Sequence, residues 1–224
     1  MMNNDGESVD FHEDLKTQGC PVCNYMNENV LEFFSQWISA FAKHEAVQEE
    51  YAAALVFCPA HTWQLESIAS PRGISAGYPK LLERLARELS DLAGSPAHPA
   101  AGVERLIKRD HCSICVLMCD AEKFYIEQLA AFLKVKEGRD CYGRSRGVCL
   151  RHLASLLSVL SDEETAKLLL SQAADRFKEA AKDMKSYALK YDAHERYLLT
   201  RNEKDACRRA LIHVAGYKWI IAPR

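Results

Sequence analysis

The sequence predicts an all-α protein: two pseudo-repeated helical units, each clipped by a Cys3His metal site, followed by a long helix and a docked C-terminal helix. Three observations lead there. Apolar residues recur at helical spacing wherever their pattern is clear, and no stretch alternates cleanly with period two. Cys20-Pro21-Val22-Cys23 is followed after 34 residues by Cys58-Pro59-Ala60-His61, and Cys112-Ser113-Ile114-Cys115 is followed after 33 by Cys149-Leu150-Arg151-His152. The apolar stripe repeats with the ligands: the offset that carries Cys20 onto Cys112 also carries Phe33 onto Tyr125 and Trp37 onto Leu129.

In chain order, residues 1–18 read as a disordered or loosely docked N-terminus, and residues 19–93 as the first metal-clipped repeat. Its leading helix shows one face through Tyr25, Met26, Val30, Phe33, Phe34, Trp37, Ile38 and Phe41. Cys58 opens a second apolar helix. Pro79 opens another, with Leu81, Leu82, Leu85, Leu89 and Leu92 at helical spacing and Gly94 to end it. Residues 94–101, rich in Gly, Ser and Pro, read as a linker. Residues 102–160 form the second repeat, in which the stripe runs through Leu117, Ala121, Phe124, Tyr125, Leu129, Phe132 and Leu133. The glycine-rich stretch from Glu137 to Gly147 reads as loop, and Cys149 opens a further helix. In residues 161–224, Ser161 with Glu164 predicts a capping box and a long helix to about Tyr191. A last helix is expected from near Asn202 to Gly216, for seven or eight helices in all, packed as one compact unit.

Each array suits a tetrahedral ion. Two residues between ligands let both reach one ion from a single helical turn, and a distant second pair closes the tetrahedron. Pairing the ligands in sequence order predicts two ions per chain. One is held by Cys20, Cys23, Cys58 and His61, the other by Cys112, Cys115, Cys149 and His152. Zinc is the expected ion, with a [4Fe-4S] cluster as the alternative, because three cysteines and a histidine serve both. A closed site of this kind contributes folding free energy on the order of 10 kcal/mol and leaves no position open for catalysis. Cys119, one turn beyond Cys115, is a possible extra ligand, but Asn27 at the equivalent place in the first repeat favours a small buried side chain instead.

Composition narrows the function. At 224 residues and 48% hydrophobic, the chain can bury an ordinary core, and 29 basic against 31 acidic residues give no case for nucleic acid or an anionic membrane as partner. The longest apolar runs are too short to span a bilayer, and the N-terminus lacks the features of a secretory signal. Six of nine cysteines fall in the arrays, which fits a reducing cytoplasm. The basic clusters Lys108 to His111 and Arg139 to Arg146 read as solvated loop charge, and no nucleophile elbow, phosphate loop or zinc-protease motif is present. In the tail, Tyr191, His194, Arg196, Tyr197, Arg208 and Arg209 form a candidate partner surface, since Tyr and Arg predominate at binding hot spots.

With the arrays and this tail, the chain resembles a bacterial family of unknown function built on duplicated Cys-Pro-x-Cys…Cys-x2-His halves, whose final helix carries Trp-Arg-Arg-Ala. Cys207-Arg208-Arg209-Ala210 holds that last place, with Cys207 for the Trp, and Ser113 replaces the Pro of the second pair. The resemblance implies the same metal-clipped fold and no particular activity. The expectation is a metal-binding helical scaffold or adaptor for a protein partner. The alternative is an iron–sulfur or thiol redox protein using Cys112, Cys115, Cys119, Cys149 and His152.

Overall fold

The structure is a computed structural model and describes residues 9–54, 57–94, 99–107 and 112–217. Among these the regular structure is entirely helical. The elements in order are α1 Phe11–Asp14, α2 Pro21–Phe41, α3 Glu45–Ala54, α4 Pro59–Ile68, α5 Pro71–Gly77, α6 Pro79–Ala93 and α7 Pro99–Ile107. Then follow α8 Ser113–Phe132, α9 Lys136–Arg144, α10 Leu150–Val159, α11 Glu163–Asp192, a 3-10 turn Arg196–Leu198 and α12 Arg201–Ala215. The twelve α-helices among the described residues exceed the seven or eight expected, because short pieces such as α1 and α5 carry too few turns to show a periodicity.

The described residues divide into two units. Among the described residues, unit 1 draws on the chain up to residue 27 and from 120 onward, and unit 2 on the chain from 28 to 119. The helix α2 therefore begins in unit 1 and ends in unit 2, and α8 does the reverse.

In unit 1 the first turns of α2 pack on the second half of α8. Tyr25 lies 5.1 Å from Tyr125 and 6.1 Å from Phe124 between ring centroids. Met26, Leu129 and Leu133 are buried with Tyr125, as the two predicted stripes require, and Val22 and Ile126 are buried as well. The N-terminal segment is anchored here: Phe11 stacks on Phe132 at 4.9 Å, Leu15 is buried, and Tyr125 donates a 3.2 Å hydrogen bond to Asp14. The end helices α11 and α12 are locked by Arg209 on Asp183 at 2.5 Å and by Lys190 on Glu203 at 2.7 Å. In unit 2 the core is aromatic: Phe34, Phe41, Tyr51 and Phe57 are buried, Trp37 stacks on Phe41 at 4.2 Å, and the Tyr51 and Tyr78 hydroxyls meet at 2.9 Å.

Several boundaries fall as the sequence implies. Pro79 opens α6 and Gly94 closes it, Cys58 and Cys149 precede α4 and α10, and Gly216 ends α12. Others are corrected. The expected loop from Glu137 is the helix α9, with Cys141 and Tyr142 buried on its inner face. Gly138 there is no breaker. A Cβ at that position would lie 2.0 Å from the Phe132 carbonyl oxygen, so glycine is what lets α9 abut the end of α8. The cap of α11 is Asp162 and not Ser161, with the carboxylate accepting from the Glu164 and Thr165 amides. A complete capping box stands instead at Thr200 and Glu203, opening α12. Residues 95–98 of the expected linker and the Lys108 to His111 cluster lie outside the described residues.

Candidate metal centres

Four ligand pairs share one local construction. In each, a cysteine stands just before a helix and its carbonyl accepts the first intrahelical bond, while the second ligand follows three residues on. These bonds are Asn24 to Cys20 at 3.0 Å, Thr62 to Cys58 at 2.9 Å, Val116 to Cys112 at 3.0 Å and Leu153 to Cys149 at 2.8 Å. Cys58 and Cys149 have nearly the same backbone, φ/ψ −71/165° and −72/166°. The N-terminal ends of helices favour the negative charge that bound thiolates carry.

The pairs close two groups, but not in sequence order. Cys20 and Cys23 join Cys149 and His152 in unit 1, and Cys58 and His61 join Cys112 and Cys115 in unit 2. The sequence-order sets, Cys20/Cys23/Cys58/His61 and Cys112/Cys115/Cys149/His152, are therefore corrected: the first pair of each array meets the second pair of the other. Helix length supplies the reason. From Cys23, α2 carries the chain about 30 Å away, and the ten residues of α3 span only about half of that, so Cys58 arrives near the far end of α2. The same holds for α8 and the nine-residue α9 before Cys149.

All four ligand atoms of each group lie within 4.8 Å of one another. In the first, His152 Nδ1 stands 3.3 Å from Cys20 Sγ, 3.5 Å from Cys23 Sγ and 3.3 Å from Cys149 Sγ, with Cys23 and Cys149 sulfurs 4.0 Å apart. In the second, His61 Nδ1 stands 3.2 Å from Cys58 Sγ, 3.3 Å from Cys112 Sγ and 3.4 Å from Cys115 Sγ, with Cys58 and Cys115 sulfurs 3.9 Å apart. Such a gathering of sulfur and nitrogen is placed to hold a cation. Burial pushes the Cys20 thiol well up, with the Cys149 and Cys23 thiols adding to it. Hydrogen bonds from Cys20 and then Cys23 hold the Cys149 thiol well down. Burial likewise raises Cys115, beside Cys112 and Cys58, and lowers His61. A divalent ion among the sulfurs stabilises all three thiolates at once.

The surroundings differ. All four residues of the first group are buried, whereas Cys58 and Cys115 of the second are partly exposed. Gly216, at φ +76°, passes over the first group: a Cβ there would lie 3.3 Å from Cys23 Sγ and 3.7 Å from Cys149 Sγ. Behind His152, its Nε2 faces Glu122 Oε1 at 3.7 Å, and Glu122 is held by Arg151 at 2.6 Å and Ser155 at 3.0 Å. At 3.7 Å the contact is longer than a hydrogen bond, so the carboxylate stands behind the ring without fixing its orientation. Sequence spacing carries no signal for Glu122; Gly216 is legible only as a helix end.

Cys119 belongs to neither group and is exposed, which corrects the expectation of a small buried side chain there. The five-residue redox cluster is not assembled either, since Cys149 and His152 sit in unit 1 and Cys112 and Cys115 in unit 2. Of the tail residues, Tyr191, His194, Tyr197 and Arg208 are exposed, and the Arg196 guanidinium lies 3.6 Å over the Tyr191 ring. Arg209 is corrected: it is buried, bonded to Asp183 and to the Asn202 carbonyl, and clamps α12 to α11.

Fold and site together define an all-helical protein with two Cys3His groups placed to hold metal ions. Neither family models, nor characterised proteins, nor solved structures offer a match to this chain. No helix among the described residues is long and apolar enough to cross a membrane.

Proposed function

We propose that the chain is a zinc-held helical scaffold in which one ion in each group acts through folding and not turnover. The observation that carries this reading is the ligand spacing. Tetrahedral zinc, with bonds of about 2.3 Å to sulfur and 2.0–2.1 Å to nitrogen, spans ligand edges of roughly 3.5–3.8 Å. The 3.2–3.5 Å sulfur–nitrogen and 3.9–4.0 Å sulfur–sulfur separations stand close to those edges. A four-iron cluster interposes iron and sulfide between its ligands and needs them farther apart, which supports a single ion over the cluster. Protein atoms fill all four positions, the mark of a structural site. Reduced thiols are required for binding, in keeping with a cytoplasmic location.

Elemental analysis of protein purified without oxygen tests the metal. Two zinc ions per chain and a colourless protein are expected; brown protein with iron and sulfide overturns the reading. For the scaffold role, the exposed Tyr197 and the Arg196–Tyr191 stack offer the residue types that anchor protein partners. Paired substitution of Arg196 and Tyr197 by Ala is expected to abolish co-purification of a protein partner while zinc content and helicity stay unchanged. Retention of every partner by that variant rejects this surface.

A further inference from the structure

Two basic stretches that lie far apart in sequence meet in unit 1. Arg146, just before Cys149, and Arg208, on α12, line one recess together with Gln18, Asp205, Arg209 and His213. The recess has about 30 Å³ of open space, room for about two waters or one tetrahedral oxyanion. It adjoins a groove of about 270 Å³ that shares Gln18, Arg146 and Asp205 and adds Arg201, Asn202 and Lys204.

The charge there is in excess. Arg209 is matched by Asp183 at 2.5 Å and by Asp205 at 3.7 Å, which also occupies the one carboxylate lining the recess. Among the described residues, Arg146, Arg201, Lys204 and Arg208 make no ion pair. Two uncommitted cations, Arg146 and Arg208, thus line a space that admits a single small anionic group, and two more, Arg201 and Lys204, line the groove beside it. The chain as a whole is net −2, so this is local placement and not a generally basic protein.

We propose that the recess binds the phosphoryl group of a small phosphate monoester, with Arg146 and Arg208 on its oxygens and the organic part in the groove beside Arg201 and Lys204. Charge favours phosphate over carboxylate, since a near-dianion answers several cations where a monoanion leaves most unmatched. Shape agrees, because guanidinium forks pair with phosphate oxygens two at a time. The small size of the recess favours a small ligand over a nucleic acid strand, which needs a continuous basic track.

The test uses the full zinc-loaded chain with inorganic phosphate and glycerol phosphate, at constant ionic strength with chloride as reference. Both phosphates are expected to raise Tm saturably, and calorimetric titration is expected to show tighter binding of glycerol phosphate. Arg208→Gln, at an exposed position where folding is not at stake, and Arg146→Gln should each weaken binding about tenfold or more. Zinc content should stay at its wild-type value, and Lys123→Gln, on the exposed face of α8, should bind as wild type. Equal Tm in phosphate and chloride overturns the proposal, as does wild-type affinity in both arginine variants. A single-stranded oligonucleotide that binds more tightly than glycerol phosphate, with steep salt dependence lost in the same variants, also overturns it in favour of a polyanion surface.

Discussion

The eight ligand residues each depend on partners that are remote in sequence, and this makes the pairing testable by substitution. Cys20→Ser with Cys149→Ser removes two ligands of the same group, so that double variant should keep one zinc ion. Cys20→Ser with Cys58→Ser strikes both groups and should keep none. Sequence-order pairing predicts the reverse, and metal analysis of the two proteins distinguishes them. A second residue-scale effect sits at Glu203. The Lys190 ammonium, then the Ser186 hydroxyl and the Thr200 amide, hold its carboxyl down to about 2 from the ordinary 4.5. A depressed carboxylate stabilises the fold above its unfolded value and loses that contribution as pH falls toward the folded one. The stability gap between wild type and Glu203→Gln should therefore be constant above about pH 5 and shrink between about pH 4.5 and 2. Thermal melts across that range read it, and a gap that does not change with pH contradicts the Lys190 pairing.

At the scale of helices, two close contacts decide boundaries that composition misplaces. Asp162 and not Ser161 caps the 30-residue α11, so Asp162→Ala should cost about 1 kcal/mol and Ser161→Ala almost nothing. In a chain of this size, that difference is a fall in Tm of about 2–4 °C for the first variant alone. Gly138 poses the opposite contest. Alanine in a helix interior is favoured over glycine by about 1 kcal/mol. Here its Cβ would press on backbone, the Phe132 carbonyl, which cannot rotate away as a side-chain tip can. The clash should win, and Gly138→Ala should lower Tm and loosen the junction of α8 and α9. A higher Tm would mean the two helices separate at little cost.

For the molecule as a whole, the two groups should release their ions in order. Cys58 and Cys115 are partly exposed, while all four residues of the other group are buried and Gly216 passes over two of its sulfurs. A chromogenic chelator should therefore take one zinc ion quickly and the second slowly. Alkylation followed by mass spectrometry should mark Cys58 and Cys115 in the first phase and Cys20, Cys23 and Cys149 only in the second. Cys119 and Cys207, exposed and outside both groups, should react before any of them. Helicity should fall with each loss, because structural zinc binding is folding free energy. Simultaneous release, or a fully helical metal-free protein, would count against structural ions.

Much of this was written in local chemistry. The apolar stripes through Met26, Phe34, Tyr125 and Leu129 face the cores that their helical spacing implied, and proline and glycine marked the ends of α6 and α12. The eight Cys and His residues singled out by spacing are the ones that gather, because two ligands on one helical turn are fixed by the turn itself. Partnership between turns is not local. The loops of 34 and 33 residues permit either closure, and only the run of α2 and α8, each roughly 30 Å long, carries every Cys-x2-His pair away from its own Cys-x2-Cys pair and toward the other. Burial of Arg209 against Asp183 and the helical state of Gly138 were decided the same way, by what a distant segment brings alongside. The sequence by itself determined which residues gather in ligand pairs and which faces are apolar, since those follow from one turn of chain; which turns meet was settled by the length and direction of the helices between them.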